Sequence, residues 1–251
     1  MLIAIYMMAS HQRLLENPSD KLLPAMSSFA NSIERMAFSE NQRTGTYLFW
    51  DDTVSSMQRI CIAVSISAFI GLLFGVANGA IPYIRAKLSP LITAISLIPP
   101  MAILPILFIV FGLGELAKVM LIVIGIAPFL IRDMQQRTLE VPAEQIIKAQ
   151  TLGANSWHII LRVIVPQVVP RLISSVRLSL GSAWLFLIAA EAIASTEGLG
   201  YRIFLVRRYL AMDIILPYVI WITFLAFVFD FVLKKTSQKL FPWFHGSLKE
   251  S

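Results

Sequence analysis

The sequence predicts an all-α, polytopic membrane bundle, and three observations carry that prediction. The chain is 57% hydrophobic and only 14% charged, with a mean hydropathy of +0.73, whereas a soluble globular domain carries about a quarter charged residues. Its apolar residues fall in runs near the length of about 20 residues that a helix needs to cross a bilayer core. Those runs are continuous rather than alternating, which excludes a lipid-embedded barrel and leaves the helix as the state that satisfies the backbone in lipid.

Taken in order, Met1 to Ala9 is apolar but too short to span, and it lacks the basic lead and small-residue cleavage site of a secretory signal, so it reads as a truncated first span. The region from His11 to Asp52 is mixed and polar, with Asn17, Pro18, Ser19 and Asp20 forming a turn before an amphipathic helix. Five full spans follow: Ile60 to Ile81 and Leu88 to Phe111 without charge, Leu116 to Ile131 with Lys118, Leu172 to Ala194 with Arg177 and Glu191, and Ile214 to Leu233 with Asp230. The chain thus divides into a truncated first span with a polar, amphipathic extracytoplasmic segment at 1–55, a transmembrane domain at 56–241 and a cytoplasmic tail at 242–251.

Basic residues set the orientation, because loops rich in Lys and Arg stay in the cytoplasm. With the N-terminus inside, the inner segments hold eleven basic residues, from Arg85 and Lys87 through Arg132, Arg137, Lys148, Arg162 and Arg171 to the C-terminal lysines, against eight outside. The short connection Gly112 to Glu115, expected outside, has none. The stretch at about 132–170 and the C-terminus therefore fall in the cytoplasm, and the pI of about 9.6 is a topology signal rather than a sign of nucleic-acid binding.

That cytoplasmic stretch contains KAQTLGANSWHIILRVIVPQVVPRL, Lys148 to Leu172, a polar insert between apolar runs. Pro142 suits a helix N-terminus, where its missing N–H is not needed. Gly153 ends the first helix by taking the left-handed conformation, and Asn155 or Ser156 caps a second helix that runs to Pro166. Two readings follow. The hairpin docks on a cytoplasmic partner, offering Ile146, Ile147 and Trp157 to a groove, or it lies on lipid headgroups.

The insert resembles the EAA signature of permease subunits in bacterial ATP-binding-cassette importers: Glu-Ala-Ala, three residues, Gly, nine residues, an aliphatic, one residue, an aliphatic and Pro. Here Gly153, Val163, Val165 and Pro166 match without a gap. At the front Ile147 and Lys148 replace Glu and the first Ala, Ala149 is kept, and the nearest acid, Glu144, lies about one turn earlier. The similarity extends from about Ser56 to Phe241 and is nearest to the nitrate, sulfonate, taurine and bicarbonate group, through SLIPPMAILPILFIVFGLGELAKV, LGSAWLFLIAAEAIAS, EGLGYRIF and NPSDKLLPAM. It implies a bacterial inner-membrane subunit paired with a second permease copy, two cytoplasmic ATPase subunits and a periplasmic or lipid-anchored substrate-binding protein. ATP and Mg would sit on the partner, and the chain, no enzyme itself, would bind no cofactor. Consistently, it has no GxxxxGK[ST] phosphate loop.

Within the spans, Gly71, Gly75 and Gly79 line one helix face, where close approach serves packing inside the subunit or across a subunit pair. Pro99, Pro100 and Pro105 interrupt a span, which either lines a pathway or is simply kinked. A charge at the bilayer centre costs about 2.5–3.5 kcal/mol, so depth matters: Arg177 can snorkel inward, and Asp230 can pair with Lys234 one turn on. Glu191, just before Gly198 and Gly200, is either a gate or pathway residue, or an interfacial carboxylate that reaches water or pairs with an Arg. The stretch Gly198 to Leu210 resembles the extracytoplasmic gate region. His11, His158 and His245 show no metal-ligand spacing, and Cys61 is the sole cysteine, so no internal disulfide forms.

These observations read as a permease subunit for a small polar solute, sulfonate-, nitrate- or taurine-like or guanidine- or urea-like, driven by a separate ATPase. The rival is an ion- or proton-coupled secondary transporter using Glu191.

Overall fold

The apolar runs fold as helices that extend beyond the runs themselves. The computed structural model describes residues 6, 8–10, 12–13, 15, 22–40 and 45–246, and no strand occurs among them. The helices are α1 (Met26–Ala37), α2 (Leu48–Ala80), α3 (Pro82–Ser96), a 3-10 turn (Pro100–Ile103), α4 (Leu104–Phe111), α5 (Glu115–Leu139), α6 (Ala143–Thr151), α7 (Ser156–Ala194), α8 (Leu199–Arg207), α9 (Met212–Leu240) and α10 (Pro242–Gly246). The truncated span expected at Met1 to Ala9 lies largely outside the described residues, and the turn at Asn17 to Asp20 lies wholly outside them.

By length and composition α2, α7 and α9 can each cross a membrane. The expected span Leu88 to Phe111 is not one straight helix: α3 and the segment Pro100–Phe111 meet at a bend of 81°. Proline disfavours helical backbone at the residue before it, and Pro99 is accordingly extended, at φ −64° and ψ 117°. Pro100 and Pro105 then sit at the starts of the next two segments, where no N–H is required.

The chain divides into two compact units, residues 1–59 with 187–225 and residues 60–186 with 226–251. The linear segmentation hides this, since each unit joins stretches far apart in sequence. In the first unit Phe49, Trp50, Tyr218 and Trp221 form an aromatic cluster, with Phe49 centroids 5.3 Å from Tyr218 and 5.2 Å from Trp221. Ser32 donates to Asp213 at 2.7 Å, and Trp50 Nε1 donates to the Ala37 carbonyl at 3.1 Å.

In the second unit α5 forms much of the core, burying Leu121, Ile122, Ile126, Leu130 and Met134. Lys118, a charge inside the expected span, is 3% exposed and pairs with Glu115 at 2.7 Å. The glycine stripe of α2 lies against this helix. A Cβ on Gly71 would come 2.7 Å from Leu130 Cβ, one on Gly75 would meet Met134 and lie 2.9 Å from the Ile131 carbonyl, and one on Gly79 would lie 2.6 Å from Thr138 Cγ2. The pairs advance in step, so α2 and α5 run in the same direction, and the stripe is filled from within the chain. Gly75→Ala is therefore expected to cost about 1–3 kcal/mol by overpacking, read as a lower melting temperature in detergent. Gly181→Ala, where an added Cβ meets nothing within 4 Å, is expected to leave it unchanged.

Two further expectations are corrected. Asp230 pairs with Arg177, whose Nε and Nη2 donate at 2.7 and 2.9 Å, rather than chiefly with Lys234, and Arg177 is thereby held rather than snorkelling. The planar fork offers two parallel bonds that an ammonium cannot. The helix after Asn155 does not stop at Pro166 but continues to Ala194. A π turn at Ile160–Ile164, closed by the Val165 N–H on the Ile160 carbonyl, directly precedes the proline. Widening there accommodates the ring, which in a regular helix clashes with the carbonyl four residues back.

Candidate functional site

Two arrangements stand out, one in each unit. In the second, α6 and the start of α7 form a hairpin. Glu144 in the first turn and Lys148 in the last suit the helix dipole. The turn is a Schellman motif: Gly153 has φ +84°, its N–H donates to the Gln150 carbonyl at 2.9 Å, and the Ala154 N–H reaches back to the Ala149 carbonyl at 3.0 Å. Asn155 then caps α7 by accepting the His158 N–H at 2.8 Å. Gln167 bridges the two arms, donating to Gln145 and to the Val163 carbonyl at 2.8 Å each.

The hairpin holds apolar side chains away from the chain's own core. Ile147 is 56% exposed, Trp157 66% and Leu152 88%, while Ile146 is half-buried. Leu152 is the residue sequence reasoning missed, although its place between the helix end and Gly153 marks it as the helix C-cap. Glu140, beside the hairpin, accepts from Arg171 at 2.7 Å and Arg137 at 3.2 Å. Slight burial raises its carboxyl, but the Arg137 hydrogen bond and the two guanidinium charges outweigh that and hold it below its ordinary range.

In the first unit Glu191 is fully buried, so it does not reach water. Its Oε1 accepts from Ser56 Oγ and Arg59 Nη1, each at 2.7 Å, and its Oε2 accepts from the Gly200 N–H at 2.8 Å. Asp52, equally buried, accepts from the Gly198 N–H at 2.8 Å, from Arg202 Nε at 2.7 Å and from Tyr218 at 3.1 Å. Ser56 Oγ accepts the Leu199 N–H at 2.9 Å. Three successive amides entering α8 are thus satisfied by side chains of α2 and α7. Although burial opposes the charge of Arg202, the Asp52 hydrogen bond and charge dominate and raise its pKa.

Close approach explains the glycines. Gly198 has φ +120°, and a Cβ there would lie 2.6 Å from Glu191 and 2.7 Å from Arg59. At Gly200 it would lie 2.7 Å from the Ile188 carbonyl. Glu191, Gly198 and Gly200 therefore form one cluster, whereas Pro99 and Pro100 belong to the second unit. There Pro100 helps line a cavity of about 770 Å³ between α3 and α5. Asp52, Ser56, Arg59 and Tyr218 escaped the sequence reading, though the first three share a helix face at i, i+4 and i+7. Among the described residues no three His, Cys, Asp or Glu side chains converge as metal ligands.

Apolar helices, an interior charge cluster and an apolar-tipped hairpin fit the membrane component of a transport system. The family model described as binding-protein-dependent transport system inner membrane component matches residues 63–241, and the chain belongs to that family. It is 33% identical over 200 residues to the taurine transport system permease protein TauC of Escherichia coli (strain K12), covering 80% of this chain and 72% of that one. It is 28% identical over 189 residues to the putative aliphatic sulfonates transport permease protein SsuC of Bacillus subtilis (strain 168), covering 75% and 68%. In fold it is similar to a chain of the inward-facing MetNI methionine ABC transporter, with a TM-score of 0.63 at 19% identity, over 76% of this chain and 96% of that one.

Proposed function

We propose that this chain forms one half of a path through the inner membrane for a small sulfonate-type solute, opened and closed by ATP hydrolysis on a separate subunit. The observation that carries the reading is the hairpin: a Schellman-locked turn presents Leu152, Ile147 and Trp157 to solvent, and such a patch serves as a docking surface. On this reading the ATPase groove takes α6 and the start of α7, and rigid-body motion passes through α7 into the bundle. Residues 56–241 are the permease domain with five spans and a cytoplasmic C-terminus. A second copy of the chain completes the path, and a binding protein delivers the solute. The taurine and sulfonate names of the relatives support the solute class.

The coupled-transporter rival loses its motive. Glu191 is committed to Arg59, Ser56 and the Gly200 amide, an arrangement suited to holding α8 rather than to cycling a proton. In liposomes carrying the permease, its ATPase and its binding protein, taurine uptake is expected to require ATP and to persist when the proton gradient is collapsed. Uptake that followed the gradient and ignored ATP would establish the rival.

A further inference from the structure

Resting on that reading, the structure assigns an oxyanion-binding role to the cavity between α3 and α5, with Arg132 as the residue that sets its charge preference. The cavity, of about 770 Å³, is in the size range of small-molecule sites. One wall is a row of hydroxyls on α3, Ser89, Thr93 and Ser96, at i, i+4 and i+7. Elsewhere helical hydroxyls such as Ser67, Thr138 and Thr223 bond back to the carbonyl four residues earlier. Ser96 Oγ likewise donates to the Thr93 carbonyl at 2.8 Å, whereas Ser89 and Thr93 make no such bond among the described residues, which leaves their O–H groups available to a ligand.

The opposite wall carries the charge. Arg132 is exposed to the cavity, touches Ser96 Oγ at 3.3 Å and has no carboxylate partner among the described residues. Asp133, the acid of the same wall, accepts from Ser175 and faces Arg137 at 3.6 Å, so its charge is already answered. Gln135 is tied to Asn78, a fully buried residue. What remains is a guanidinium facing hydroxyl donors, a set that matches two oxygens of a tetrahedral sulfonate or of a planar carboxylate and rejects a cation. The lining runs from Gln136 down α5 to Ile124, a depth of about 18 Å at about 1.5 Å per residue. A solute can therefore be held along the path itself.

The test reads charge selectivity instead of transport, so its failure is distinguishable from failure of the importer reading. In the detergent-purified permease–ATPase complex carrying Cys61→Ala and Thr93→Cys, the thiol is reacted with ethylsulfonate and ethyltrimethylammonium methanethiosulfonates, each referenced to its rate with a free small thiol. The sulfonate reagent is expected to be favoured about tenfold, as a focused cationic field favours anions, and millimolar taurine is expected to slow it. Arg132→Gln should remove the preference and Arg132→Lys retain it. Ser89→Asp, with Arg132 intact, should reverse it, which keeps the test open if Arg132→Gln does not assemble. A preference unchanged by Arg132→Gln or by Ser89→Asp overturns the assignment. So does a thiol that neither reagent reaches, which would mean that another copy of the chain covers the wall.

Discussion

Glu191→Ala is expected to destabilise the subunit by about 3–5 kcal/mol, because it leaves the buried Arg59 guanidinium without its main partner. Arg59 is 2% exposed, and it also meets the Glu197 carbonyl at 3.0 Å and the Glu197 carboxylate at 3.5 Å. Glu191→Gln keeps one acceptor oxygen but turns an N–H₂ either toward the Gly200 amide or toward Ser56 and Arg59 together, so it is expected to fall between wild type and Glu191→Ala. Combining Arg59→Met with Glu191→Met removes both charges together and is expected to cost less than the sum of the single substitutions. Unfolding of the detergent-solubilised protein measures all of these variants, and uptake is expected to fall with the loss of α8 anchoring. Strict additivity of Arg59 and Glu191 would show that the pair does not act as a unit.

Gly153 is the second position of large effect. Its φ of +84° is one that an L-residue adopts at a cost of about 1 kcal/mol or more, yet an added Cβ would meet nothing within 4 Å. The penalty is therefore conformational rather than a clash. Gly153→Asn, which tolerates the left-handed region, is expected to keep ATPase docking. Gly153→Val is expected to redirect the arm from Asn155 onward, and to abolish substrate-stimulated ATP hydrolysis while the subunit still inserts. Moving a two-state transporter from 1:99 to 99:1 takes about 5.5 kcal/mol of differential binding, and on this reading that energy crosses the hairpin. Co-purification of the ATPase and stimulated turnover in liposomes report the outcome. Equal behaviour of the Val and Asn variants would remove the left-handed turn from the coupling.

What was legible in the sequence is what local chemistry decides. Long apolar runs could only be helices, and Gly153 followed by Asn155 and Ser156 announced a stop and a cap, the cap falling on Asn155. The bend after α3 was half-legible: three prolines marked a fault, but its 81° angle depends on which of them open new segments. The cluster around Glu191 was not legible, because its partners lie 132 to 135 residues away on α2. A span that starts at the first uncharged residue, Ile60, cuts Asp52, Ser56 and Arg59 away from their own helix. Asp230 shows the same limit, since the nearby Lys234 suggested a partner by spacing, whereas Arg177, 53 residues distant, offers the better two-point geometry.

The central claim is that the hairpin formed by α6 and the start of α7 seats on the ATPase. A photo-crosslinking amino acid placed at Trp157, and separately at Leu152, in cells expressing the intact transporter tests it directly, since both side chains stand free of the chain's own core. The expected result is a covalent product between permease and ATPase at both positions, diminished by Gly153→Val and retained by Gly153→Asn. Crosslinks to lipid alone, or to a protein on the extracytoplasmic side, would contradict the docking role and the orientation together.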